Sequence, residues 1–130
     1  MSRNDDINIA AEGKWGTVEY AMRQDGSKPA KEDLKRIQKT DSINFKRLFV
    51  LFKRFAELGQ LSEDKFRQLK GRKGIIYEFK RHPYRVACFM INNRCLLTHV
   101  FPKKTSNKLI HKEIEKALKI KEEHLRNENK

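Results

Sequence analysis

Residues 69–104 read LKGRKGIIYEFKRHPYRVACFMINNRCLLTHVFPKK. Apolar runs at Ile75 to Lys80, Tyr84 to Ile91 and Cys95 to Phe101 are separated by His82-Pro83 and Asn92-Asn93. The residue before a proline avoids the helical region and proline cannot extend a ladder, so the first pair interrupts a strand. Asparagine tolerates positive φ, so the second pair suits a tight hairpin. The stretch therefore predicts a small antiparallel sheet. Alternation puts Ile75, Tyr77, Phe79 and Arg81 on one face and Ile76, Glu78, Lys80 and His82 on the other. In the next strand Tyr84, Val86, Cys88 and Met90 oppose Arg85, Ala87, Phe89 and Ile91. With the more apolar sets turned toward helices, Glu78, Lys80 and Arg85 are left together on an open face near the His82-Pro83 turn. Arg85 is expected to contribute little packing there.

Upstream, residues 1–13 are polar and aperiodic and predict a flexible arm. Val18, Tyr20 and Met22 have the period of a strand that would join the sheet, closed by the turn signal Asp25-Gly26. Pro29 suits the first turn of a helix, with Ala30, Leu34 and Ile37 inward. Thr40 to Ser42 can cap a second helix, Ile43 to Leu58, whose stripe Phe45, Leu48, Phe49, Leu51, Phe52, Phe55 and Ala56 ends at Gly59. Ser62 to Leu69 reads as a short amphipathic turn or helix. Downstream, Thr105 or Ser106 can cap a last helix from Asn107 to about Asn127, with residues 128–130 as a frayed tail. The expected architecture is α+β: one domain over residues 14–127, a small antiparallel-rich sheet with helices packed on one face.

Composition narrows the partners. Thirty Lys and Arg face 17 Asp and Glu among 130 residues, a net charge of +13. Such an excess attracts polyanions, so nucleic acid is the first ligand to consider. Cys88 and Cys95 lack metal-ligand spacing and are expected to be reduced packing residues. No apolar leader follows the polar start and no run reaches membrane length, so a soluble, cytoplasmic protein without membrane contact is expected.

Nucleophilic catalysis is disfavoured, since no nucleophile elbow occurs and both cysteines fall within strands. A metal site is disfavoured too, because Glu78 is the sole acid of the central stretch and its histidines are scattered. A basic groove can cleave RNA without metal or other cofactor. The 2′-hydroxyl attacks the adjacent phosphate, and the protein must align the RNA, stabilise the phosphorane and move two protons. Lys80, Arg85, Lys103 and Lys104 can supply charge. The glycine-flanked link Lys70, Arg72, Lys73 and the strand-end Arg81 can grip phosphates. His82, His99, His111, Tyr84 and Glu78 are the proton-transfer candidates, unranked, with His82 nearest the charge cluster. The alternative is a basic module that binds without catalysis.

The order Leu69-Lys70-Gly71, Tyr77-Glu78-Phe79-Lys80, Tyr84-Arg85-Val86, Leu97-Thr98-His99-Val100-Phe101-Pro102-Lys103-Lys104 and Glu113-Ile114-Glu115-Lys116-Ala117 resembles the phage-derived HigB-type branch of the RelE/ParE toxin superfamily. The resemblance runs from about Trp15 to Arg126. It implies a RelE-like fold and the toxin of a type II toxin–antitoxin pair, with a cognate antitoxin, mRNA and the ribosomal A site as partners. It carries the family's basic positions onto Lys80, Arg85, Lys103 and Lys104. Where RelE-like enzymes often place a tyrosine near the start of the final helix, this chain has Ile110 and His111, so the acid and base stay open. The ParE branch, which inhibits gyrase, gives the non-catalytic alternative its concrete form, beside a nucleic-acid-binding phage protein.

Overall fold

The computed structural model describes residues 8–69, 75–103 and 106–129. The central meander forms as expected: β4 (Ile76–Arg81), β5 (Tyr84–Ile91) and β6 (Arg94–Pro102), with Asn92 at φ 51° in the second turn. Strand β2 (Thr17–Tyr20) joins in parallel beside β6, from Thr17 opposite Arg94 to Tyr20 opposite Leu97. Two further strands lie where none was expected. Residues Ile9–Glu12, assigned to an arm, form the edge strand β1 against β2, with Ala10 and Ala11 packed on the core. Residues Phe66–Leu69, assigned to a turn or helix, form β3 and satisfy the outer edge of β4. Here pairing with a neighbouring strand overrides local preference. The sheet order is β1-β2-β6-β5-β4-β3, antiparallel except at β2/β6.

Helix α1 (Pro29–Thr40) begins on its proline. Asp41 caps α2 (Ser42–Leu58) by accepting from the Asn44 N–H, and Gly59 closes it at φ 73°. Leu34, Leu48, Phe52 and Phe55 of these helices are buried against Phe79, Val86, Cys88, Cys95 and Leu97. Phe52 and Phe55 meet Phe79 edge to face at 5.0 and 5.4 Å, and full burial of such a ring stabilises by roughly 1.5–3 kcal/mol. The α+β class and the antiparallel-rich sheet match expectation; the helices, however, divide between the two faces. Ile114, Ala117 and Ile120 of α3 (Asn107–Glu128) pack with Leu69, Ile76, Ala87, Phe89, Leu96 and Phe101 on the side opposite α1 and α2. The central strands are apolar at both parities, so each face must be covered.

At its C-terminal end α3 is tied down by polar contacts. His124 Nδ1 accepts from the Met22 N–H at 2.9 Å, and Glu123 accepts from Arg23 Nη2 at 2.7 Å and the Gln24 N–H at 2.8 Å. Arg94 bridges Glu19 and Glu128, so Glu128 is helical and anchored rather than part of a frayed tail. Residues 1–7 of the expected arm and Lys130 lie outside the described residues.

Candidate nucleic-acid interface

Opposite residues of an antiparallel pair share a face. Register therefore places Arg67, Glu78, Ala87 and His99 in one row across the sheet, and Lys80, Arg85 and Phe101 in the next. The rows stay aligned because a bulge at Thr98, whose Oγ1 donates to the Ala87 carbonyl at 3.2 Å, brings His99 and Phe101 onto the same face as Leu96.

The first row centres on a buried carboxylate. Arg67 Nε and Arg85 Nη1 both donate to Glu78 Oε2, at 2.7 and 3.0 Å, and Glu78 is 1% exposed. Among the described residues Oε1, also buried, has no hydrogen-bond partner. The Arg85 side chain is 15% exposed and that of Arg67 43%. Arg85 is thus more deeply embedded than the expected exposed side chain, because the buried anion needs a cation beside it. Lys80 faces Arg85 across the β4/β5 ladder. Burial, then the charges of Arg67 and Arg85, lowers the proton affinity of its ammonium against the opposing pull of Glu78 and Asp64. Three cations around one carboxylate leave an excess of two positive charges on this part of the face.

The other candidates scatter. His82 is exposed on the turn next to Arg81, and exposed Lys103 joins that turn through its N–H to the Pro83 carbonyl at 3.2 Å. Arg81 has the opposite parity to Lys80 and stands across from Tyr84. The Tyr84 hydroxyl donates to Asp41 Oδ2 at 3.0 Å on the α2 side, and burial and Asp41 raise its pKa. His99 is buried, with Nε2 2.9 Å from Glu113 Oε1 and Nδ1 3.1 Å from Thr98 Oγ1. His111 is exposed on α3. Lys70, Arg72, Lys73 and Lys104 lie outside the described residues. Cys88 and Cys95 are buried free thiols, and burial pushes the Cys88 thiol well up. Arg67 was missed by sequence reasoning. Phe66 and Leu69, three residues apart, mimic one helical turn, whereas in the strand they enter opposite cores. The usable cue was a short segment joined by a glycine-bearing link to a certain strand.

The family described as "Phage derived protein Gp49-like (DUF891)" matches residues 32–122, from α1 through most of α3. The chain belongs to the Gp49-like family. That family falls within the RelE/ParE-like toxin superfamily and is commonly the toxin of toxin–antitoxin systems. Arg67, Glu78, Lys80 and Arg85 all lie inside the Gp49-like match. A comparison with curated proteins gave no match. No helix among the described residues is long and apolar enough to cross a membrane.

Proposed function

We propose that this Gp49-like protein is a ribosome-dependent mRNA endonuclease of the HigB type, acting in the cytoplasm at the ribosomal A site without metal or cofactor and neutralised by a cognate antitoxin. The observation that carries the reading is the placing of Lys80 beside two guanidinium groups held on one buried carboxylate. Cleavage through the 2′-hydroxyl develops charge on the non-bridging phosphate oxygens, and cations fixed beforehand stabilise it without reorganising. Arg85 and Arg67 supply that charge, and Glu78, sequestered between them, holds them in place. Lys80, whose proton affinity is reduced, and His82 on the adjoining turn are assigned the proton transfers. Lys103 adds charge beside the His82 turn and Lys104 follows it in sequence, while Lys70, Arg72 and Lys73, next after Leu69 in sequence, are assigned to phosphate binding. On this reading Tyr84 and His99 are structural.

Induced expression followed by mapping of mRNA ends tests the proposal. Growth arrest with cuts inside codons is expected, leaving 2′,3′-cyclic phosphate and 5′-hydroxyl ends, because the 2′-oxygen is the nucleophile. Intact messages during good soluble expression would overturn it. Ends bearing 5′-phosphate would instead indicate hydrolysis by an activated water.

A further inference from the structure

The outward face of α2 carries an apolar seam that the core does not use. Ile43, Val50 and Leu58 are 64, 55 and 60% exposed, three of the five large hydrophobic residues found exposed among the described residues. At 3.6 residues per turn they fall within an arc of roughly 80°, spaced about 10 and 12 Å along the axis. The inward stripe Leu48, Phe52 and Phe55 lies on the opposite side of the helix. Arg47 and Arg54 stand within the same arc, between the apolar residues, and Lys46 and Lys53 border it on one side, all exposed; the one acid of the helix, Glu57, is paired with Lys53 at 3.6 Å. At the helix start the Asp41 carboxylate lies near Arg47.

We infer that this face of α2 docks an acidic amphipathic helix of a partner protein. Cations alternating with apolar residues along one row, and bordering it on one side, are the complement of a helix that presents carboxylates among apolar residues at three- and four-residue spacing. Nucleic acid would match the cations but leave Ile43, Val50 and Leu58 without apolar partners. The surface lies across the sheet from Lys80 and Arg85, since α2 and α3 cover opposite faces. A partner anchored here leaves the basic rows open, and its docking does not depend on mRNA being the substrate.

The test uses a fluorescein-labelled three-heptad peptide with leucine at the a and d positions and mostly glutamate elsewhere. An isomer with the leucines scrambled and a labelled single-stranded RNA serve as controls. By anisotropy the amphipathic peptide should bind at least about tenfold more tightly than the isomer. Val50→Glu, and Val50→Ser without added charge, should weaken the peptide by about that factor while RNA binding, the urea midpoint and mRNA cleavage stay unchanged. No peptide binding, equal binding of the two peptides, or indifference to both Val50 variants would overturn the inference. So would loss of RNA binding in those variants, which would give the face to RNA. Lost or absent cleavage with peptide binding intact would count against the nuclease reading alone.

Discussion

Arg85 Nη1 lies 3.0 Å from Glu78 Oε2, joining β5 to β4 through a carboxylate that is 1% exposed. A buried anion left without its cation is costly, about 3–5 kcal/mol when a pair is broken outright. Arg67 remains on the same oxygen, so Arg85→Ala should cost less, about 1–3 kcal/mol. Glu78→Ala leaves Arg67, Arg85 and Lys80 facing one another and should cost more than Arg85→Ala, with Arg67→Ala the mildest. Urea unfolding of the three variants checks that order. An Arg67→Ala cost above that of Glu78→Ala would contradict the assignment of Glu78 as the centre of the cluster.

Lys80 separates chemistry from stability. It is half-buried and adds a third positive charge beside two arginines, so Lys80→Met should leave the unfolding midpoint nearly unchanged or raise it slightly. Cleavage on programmed ribosomes should fall by about 10²-fold or more, the scale of losing one general acid or base. Single-turnover rates give the comparison. A variant that cleaves at the wild-type rate would remove Lys80 from the site.

The meander was legible because His82-Pro83 and Asn92-Asn93 are backbone signals that act locally. The same alternation that grouped Glu78, Lys80 and Arg85 correctly could not show that Ile76, Ala87 and Phe89 were also to be covered, so α3 was assigned to the wrong side. The edge strands β1 and β3 were hidden because a four-residue strand is stabilised by the partner it meets, not by its own propensity. With β3 went Arg67, and with Arg67 the reason that Glu78 can be charged and buried. A long-range pair of this kind has no signature in the separation of residues 67 and 78.

Gly16 sits where three elements converge. Its N–H donates to the Ala56 carbonyl at 3.1 Å, the Thr17 N–H donates to the Asn93 carbonyl at 3.1 Å, and Asn93 Nδ2 donates to the Trp15 carbonyl at 2.7 Å. A Cβ added at Gly16 would stand 1.8 Å from the Asn93 oxygen, which is backbone and cannot swing aside. Gly16→Ala should therefore destabilise by about 3 kcal/mol or more. Gly26→Ala supplies the contrast: its φ is 87° and nothing approaches an added Cβ within 4 Å, so only backbone strain of about 1–2 kcal/mol is expected. Thermal unfolding of both variants distinguishes collision from strain. Equal costs would mean that the corner at Gly16 relaxes.

His99 gives the fold a pH dependence whose sign can be worked out. Burial holds its pKa below the usual 6.5, against the hydrogen bond and charge of Glu113 and the charge of Asp33, while Lys116 adds to the lowering. With its proton on Nε2 the neutral ring donates to Glu113 Oε1 at 2.9 Å. Between its native pKa and 6.5 the unfolded chain carries a proton on this histidine that the native chain lacks. Its contribution to stability is therefore complete above about pH 6.5, declines as the pH falls, and is lost below the native pKa. The decline can reach about 1.4 kcal/mol per pH unit for one proton. His99→Gln keeps a donor toward Glu113 but cannot titrate, so the stability difference between wild type and variant should shrink from pH 7.5 to pH 5. Urea unfolding across that range measures it. A difference that grows on acidification would mean that the ion pair with Glu113 outweighs burial and that the native ring takes up a proton above 6.5.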